Sequence, residues 1–351
     1  MSGVVLSDIG MTFPNGFTAL EGIDVDILDG EFLALVGPSG SGKTTLLRAV
    51  AGFLTPTAGS IHIAGAEVAT PGHAKAPEKR GLGMVFQQHA IWPHLSVGDN
   101  VGYSLKIAKK SRKEITARVD ELLELVGLAG FTKRNPATLS GGQRQRVALA
   151  RALAPAPSVL LLDEALSALD EPLRDQLRVE LKDLTSRMGL TVIHVTHDRN
   201  EALALADRIA VLDQGRIVQL GTPFELVRNP ATPFVARFLS DATVLDGELN
   251  DEGFKADTHP LAVGREQIVF AQETENAKGR GSLAVLPGDV ELVDDPAGGA
   301  HVISALFGRT ASDVIVQWQD LKLRCASPWQ PKVNTQVTPK IKRAIFYPNC
   351  A

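Results

Sequence analysis

Cysteine is nearly absent from this chain: of 351 residues only Cys325 and Cys350 carry a thiol, and no CxxC spacing occurs. That excludes a disulfide framework or a cysteine-based zinc site and fits a reducing compartment. Cys325 reads as a buried, inert thiol and Cys350 as a thiol in a flexible tail. An excess of positive charge is also lacking. With 36 Lys and Arg against 40 Asp and Glu, the net charge is −4, which gives no electrostatic case for binding nucleic acid. No apolar run approaches the length that spans a bilayer, and the most apolar one, residues 159–162, is far too short. The opening MSGVVLSDIGMTF lacks a basic region ahead of an apolar core, so it is not expected to act as a signal peptide. Internal repeats and low-complexity tracts are missing too. If such a chain serves a membrane, it does so from the side, through another chain.

What is present points to two domains, since 351 residues exceed a single typical core. The first half alternates strand-like and helix-like patterns. Residues 31–36 (EFLALV) read as a buried strand, followed by a glycine turn and the helix TTLLRAVAGF; SVLLL (158–162) and LTVIHV (190–195) are further apolar runs of strand length. Each follows a helical stretch, as parallel sheets require. Between about 88 and 138 the character changes to a helical insert, where Ile115, Val119, Leu122, Leu123 and Val126 share one face. After about residue 241 short alternating segments such as DVIVQW (313–318) predict a small all-β domain. Asn229-Pro230 and Thr232-Pro233 suit a linker over residues 229–243. The expected division is therefore 1–240 and 241–351.

Five short motifs carry the chemistry. GPSGSGKT supplies Gly37, Pro38, Ser39, Gly40, Ser41, Gly42, Lys43 and Thr44 between a strand and a helix. The glycines let backbone N–H groups turn inward around phosphate oxygens, and the helix aims its positive end at them. Lys43 can reach the β- and γ-phosphates, and the Thr44 hydroxyl can ligate Mg²⁺. In VLLLDE, Asp163 at the strand tip suits Mg²⁺, and Glu164 beside it can polarise the water that attacks the γ-phosphate. LSGGQ sets Ser140, Gly141, Gly142 and Gln143 at the head of a second helix, where hydroxyl and amide donors make another anion site. Two phosphate cradles in one chain make sense if the second docks on a nucleotide held by another copy. Gln87 in MVFQQ and His197 in HVTHD complete the set. His194, inside its strand, reads as an ordinary core histidine.

On these residues the chain resembles an ATP-binding-cassette (ABC) transporter ATPase over roughly residues 4 to 235. The resemblance implies an α/β fold, a P-loop NTPase cassette with a helical insert followed by a small all-β, OB-like regulatory domain. It implies ATP and Mg²⁺ as cofactors. Ser140, Gly141, Gly142 and Gln143 would belong to the family signature and touch the ATP of the opposite copy. Gln87 would sense Mg²⁺ and the attacking water, Thr45 would join the P-loop contacts, and Asp170, in SALD, would cross the dimer seam. His197 would hydrogen-bond the γ-phosphate. Phe13 aligns with the aromatic that stacks on adenine, with Phe17 a rival in the same FPNGF loop. One departure is Ala165, where most relatives place proline after the Asp-Glu pair; it puts the hydrolysis rate in doubt, not the assignment.

Single cassettes with a β-rich tail are similar to the ATPases of bacterial importers. That implies a homodimer at the cytoplasmic face of the cell membrane, touching it only through integral-membrane permease subunits and served by an extracytoplasmic substrate-binding protein. HAIWPHLSVGDNV resembles the insert surface that grips the permease, with Ile91, Trp92 and Leu95 as apolar contacts. Overall length and the terminal RAIFYPN look closest to ferric-iron importer ATPases, with sulfate, polyamine or aminoethylphosphonate import open. A soluble ABC ATPase acting on ribosomes or DNA is the reading from another class; it would call for a second cassette, a basic linker or a long coiled-coil insertion, and none is present.

Overall fold

Strands that are apolar along their whole length need cover on both faces. Phe32–Val36 and Thr191–Val195 are buried throughout, and Val159–Asp163 throughout except for Asp163 at its tip. They lie in a six-stranded sheet in the order Arg216–Gly221, Arg208–Asp213, Phe32–Val36, Thr191–Val195, Val159–Asp163, Leu82–Val85. Every neighbouring pair is parallel except the antiparallel edge pair Arg208–Asp213 and Arg216–Gly221. This computed structural model describes residues 2–166, 171–271, 278–308 and 310–349.

A second, antiparallel sheet begins with Ser2–Thr12 between Thr18–Leu28 and Ala58–Ile63. Its buried face (Ile9, Leu20, Ile23, Ile27) joins Leu33 and Leu35 of the parallel sheet and Leu46 and Leu47 of the helix Lys43–Ala51 in one core. The helical insert contains Val97–Val101, Tyr103–Ile107 and Arg112–Leu125. Ser111 and Glu114 form a reciprocal cap at the start of the last. As the periodicity required, Val119, Leu122, Leu123 and Val126 are buried, with Ile115 half-buried above them. Pro136 starts a short turn, and the helix Gly141–Leu153 follows.

Compact units divide the chain at Met1–Pro223 and Phe224–Ala351. Residues 229–243, which read as a linker, are largely helix: Thr232 caps Pro233–Ser240, with Pro233 in its first turn. That placement follows the position preference of proline, which tolerates a first turn because it has no N–H to lose. Ala236 of this helix packs with Ala284, Leu286, Ile345 and Tyr347 of the β-rich unit, and the Tyr347 hydroxyl donates to the Pro230 carbonyl at 2.9 Å. The helix therefore groups with the second unit. Beyond it the chain is β-rich, as expected. One sheet runs Ala262–Gly264, Gly253–Ala256, Thr243–Leu249, Gly279–Val285, Ala344–Pro348, Ile268–Phe270; the other runs Val290–Asp294, Gln336–Ile341, Ala300–Leu306, Ser312–Trp318, Leu321–Ser327. Phe254, Leu283 and Phe346 from the first and Val302, Val314, Leu323 and Cys325 from the second share one core. Burial there pushes the Cys325 thiol up to about 12, so the inert reading of that cysteine stands. Among the described residues no helix is long and apolar enough to cross a membrane.

Candidate functional site

Four adjacent parallel strands end at the same edge of the six-stranded sheet, and each delivers one motif there. The glycine loop follows Phe32–Val36, Asp163 ends Val159–Asp163 with Glu164 next, His197 comes two residues after Thr191–Val195, and Gln87 two residues after Leu82–Val85. The carboxyl edge of a parallel sheet is where such folds place ligands.

The glycine loop closes tightly on itself. Gly37 sits at φ 155° with its α-carbon so close to the Leu212 carbonyl that an added Cβ would lie 2.1 Å from that oxygen. Gly42, at φ 104°, would likewise meet the Ala19 carbonyl at 2.7 Å. No side chain fits either place, which explains both glycines. Lys43 is buried and donates its Nζ to the carbonyls of Gly37 at 2.9 Å and Pro38 at 2.7 Å. Burial pulls its pKa down, while the Glu164 charge raises it. Ser39 and Gly40 are exposed, Ser41 is buried, and Thr44 and Thr45 are half-buried in the first turn of the helix Lys43–Ala51. The helix has no side-chain cap, so its leading N–H groups are available to an anion.

Glu164 is the centre of the polar group opposite. Its backbone adopts φ 49°, a left-handed conformation rare for a residue with a side chain, and its N–H donates to the Val195 carbonyl at 2.9 Å. One carboxylate oxygen accepts from Gln87 Nε2 at 2.6 Å; the other lies 2.5 Å from His197 Nε2. Asp163 stands beside it. Burial and then the Glu164 charge push the Asp163 carboxyl above its ordinary pKa, against the pull of Arg48, His197 and His194. Two neighbouring carboxylates with one strained upward invite a cation. Among the described residues there is no cluster of three carboxylate, histidine or cysteine ligands. Asp163, Gln87 and the Thr44 hydroxyl are the oxygen-bearing groups that could hold Mg²⁺ here, with phosphate and water oxygens completing its shell.

Ser140 caps the helix Gly141–Leu153. Its Oγ accepts from Gln143 N at 3.3 Å, and Gln143 Oε1 accepts from Ser140 N at 3.1 Å. Ser140 is exposed, Gly141 and Gln143 half-buried and Gly142 buried. A cavity of about 300 Å³ lies beside them, lined also by Phe131 and Arg146. The Phe13 and Phe17 rings stack at 6.4 Å, with Phe13 against the core and Phe17 56% exposed. Ala165 is buried. Asp170 lies outside the described residues.

Several residues that brace this site had no motif to announce them. Asn100, fully buried, accepts from Trp92 N and donates to the carbonyls of Trp92, Leu95 and Ser96, shaping the loop that carries Ile91, Trp92 and Leu95. His194 is a core histidine, as read, but it is paired: its Nε2 lies 2.6 Å from buried Glu201, which also accepts from Thr196 Oγ1 at 3.0 Å. Asp198, next to His197, caps the helix Arg199–Leu205 and pairs with Arg178 at 2.5 Å. These contacts fix the backbone on both sides of His197. Arg151, from the far end of the Ser140 helix, donates to the carbonyls of His89 and Ala90.

Residues 20–167 match the family model described as ABC transporter. The chain is 43% identical to the spermidine/putrescine import ATP-binding protein of Marinobacter nauticus, over 90% of this chain and 84% of that protein. It is 47% identical to a sulfate/thiosulfate import ATP-binding protein of Chromobacterium violaceum, over 78% of this chain and 72% of the other. The chain spans from 61% to 84% of the length of such relatives. Among solved structures, a dimeric ATP-binding cassette in a post-hydrolysis state, bound to ADP and Pi, superposes with a TM-score of 0.56 at 35% identity, covering 63% of this chain and 98% of that one.

Proposed function

The chain belongs to the ABC transporter ATP-binding family, and from that premise we propose that it is the ATP-hydrolysing subunit of a bacterial importer, working as a homodimer on the cytoplasmic face of the membrane. The observation that carries the reading is the glutamate bracketed by Gln87 and His197, beside Asp163 and across from the glycine loop.

ATP phosphates lie in the loop formed by Gly37, Pro38, Ser39, Gly40, Ser41 and Gly42, against the open helix end, with Lys43, Thr44 and Thr45 beneath. Phe13 offers a face for adenine, with Phe17 stacked behind it. Thr44, Gln87 and Asp163 would hold Mg²⁺, which would supply neutralisation of the phosphate charge. Glu164 takes a proton from the attacking water, and Gln87 keeps its carboxylate aimed. His197, whose Nε2 meets Glu164 here, turns to hydrogen-bond the γ-phosphate when ATP is bound. Ser140, Gly141, Gly142 and Gln143 of the second copy close each site, with Asp170 at the seam. ATP therefore binds the closed pair more tightly than the separated copies, and that difference drives closure. The loop of Ile91, Trp92 and Leu95 passes the motion to an integral-membrane permease, the chain's only link to the membrane. A substrate-binding protein outside the membrane delivers the cargo.

For the cargo, the relatives' names favour a polyamine, with sulfate second. Ferric iron, expected from the length and the terminal RAIFYPN, draws no support from them, nor does aminoethylphosphonate. Uptake of labelled spermidine and labelled sulfate in a strain deleted for this chain separates the two. The shared site is tested by mixing Lys43→Ala chains with Ser140→Ala chains. Each alone is inactive; a mixed dimer keeps one intact site and recovers part of the hydrolysis. No recovery in a mixture shown to contain mixed dimers would defeat the two-copy site.

A further inference from the structure

The loop beyond Gln87 takes a shape that ordinary residues avoid. His89 and Ala90 follow one another at φ 58° and φ 48°, left-handed values uncommon for residues with a side chain, and two in a row more so. The turn is closed by His89 N donating to the Phe86 carbonyl at 2.9 Å. Both left-handed residues present their carbonyls to one guanidinium. Arg151 donates Nη2 to the His89 oxygen at 2.7 Å and Nη1 to the Ala90 oxygen. The same guanidinium lies 5.1 Å from the centre of the Trp92 ring, and Trp92 stands 4.5 Å from Tyr103, ring to ring. The Trp92 backbone is pinned in turn by Asn100. At the opposite end of the loop, Gln87 holds Glu164.

Arg151 closes the last turn of the helix that Ser140 opens. One side chain thus joins that helix, the turn behind Gln87 and the aromatic face of the insert. A planar fork is suited to this: it reaches two adjacent carbonyls at once and stacks on a ring, and lysine can do only part of either.

We propose that Arg151 is a positioning residue for ATP hydrolysis, one that holds the His89–Ala90 turn so that Gln87 meets Glu164 and that ties this turn to Trp92 on the permease-facing side. The inference rests on the importer-ATPase reading above. Without the guanidinium, two carbonyls lose their donor, and the left-handed pair relaxes toward ordinary backbone. Gln87, two residues upstream, then moves off the Glu164 carboxylate, while the glycine loop and Lys43, at the head of a helix that follows another strand, are untouched. The defect is therefore chiefly in turnover, with the phosphate contacts of ATP kept.

The full chain carries three tryptophans, Trp92, Trp318 and Trp329, so a Trp318→Phe, Trp329→Phe parent reports on Trp92 alone. Arg151→Ala and Arg151→Lys are made in that parent, and each is measured for hydrolysis against ATP concentration, for Trp92 emission with and without Mg-ATP, and for melting temperature. The expected result for Arg151→Ala is a kcat lower by on the order of 10- to 100-fold with KM nearly constant, and loss of the emission change that ATP causes in the parent. Arg151→Lys, which keeps the charge and one donor, falls between the two, and it carries the test if the alanine variant fails to fold. An Arg151→Ala chain with parental kcat overturns the inference. So does one whose kcat, KM and melting temperature fall together while Trp92 still responds, for that is a role in folding alone. A parent that hydrolyses ATP without any Trp92 response overturns the link to the insert. A parent with no ATP hydrolysis overturns the importer-ATPase reading itself, and shows it before any Arg151 variant is compared.

Discussion

Among the described residues of the first unit, left-handed backbone at a residue with a side chain occurs at the motif edge of the parallel sheet (His89, Ala90, Glu164) and also in turns such as those at Ala64 and Gln214; among those of the second it occurs at Asp241, at a helix end, and at Gln319 and Asn334, in turns. Buried ionisable groups differ in kind. Burial pulls Lys43 down and pushes Asp163 up, and the Glu164 charge raises both; these are side chains that are ordinarily charged. In the second unit burial pushes up Cys325 and Tyr347, groups that are neutral to begin with, and the tyrosine hydroxyl is satisfied by a carbonyl. Irregular backbone and opposed charges are costly, and they persist where the surrounding contacts over-determine them. The first unit carries such costs at a site as well as in its turns; among the described residues of the second they serve changes of direction.

Breaking the comparison is easiest at Glu164. Glu164→Gln should still bind ATP and accumulate as a dimer, with phosphate release slower by about 10²–10⁴-fold; a rate near the parent's would take the base role away from this residue. The converse change belongs in the second unit. Phe346→Ala empties a fully buried position and should lower that unit's stability by about 3–5 kcal/mol. Hydrolysis per folded chain should hold, so denaturant melts read alongside phosphate release separate the two units.

Asp163→Asn sharpens the contrast through pH. The folded pKa of Asp163 lies above the unfolded one, so its ionised form is disfavoured by folding. That penalty is absent below the ordinary carboxylate range and appears as pH rises through the folded value. The variant should therefore melt higher than the parent at neutral pH without nucleotide, match it in acid, and lose Mg²⁺-dependent hydrolysis. An Asp163→Asn chain that melts lower at neutral pH would contradict the strained pair. The smallest effect is expected at Asp313, whose carboxyl the Arg324 guanidinium holds below its usual range. Its contribution is present above the ordinary carboxylate pKa and fades as pH falls through the depressed value. Since both side chains are more than a third exposed, Asp313→Asn should cost under about 1 kcal/mol at pH 7, read as a slight fall in melting temperature that vanishes in acid.

The cassette's motifs were legible in the sequence because phosphate binding constrains local backbone. Only glycine fits at positions 37 and 42, and a serine capping a glycine-led helix is written in consecutive residues. The order of the parallel strands then brings Gln87, Glu164 and His197 together. What was not legible depends on contacts between distant segments. Nothing near Arg151 in sequence points to the His89 and Ala90 carbonyls. Alternation announced the strands of the second unit, but not their order. The prolines around residue 230 resembled a linker because proline breaks helices in their interiors; here Pro233 stands in a first turn, where it starts one.

The strand Ala344–Pro348 is the last of its sheet in chain order, yet it lies inside it, between Gly279–Val285 and Ile268–Phe270. During synthesis that sheet lacks the strand that joins its edge strand Ile268–Phe270 to the rest until those residues leave the ribosome. The cassette's strands are all made by Gly221, so the nucleotide-binding half can settle first while its companion waits, open-edged, for one final segment.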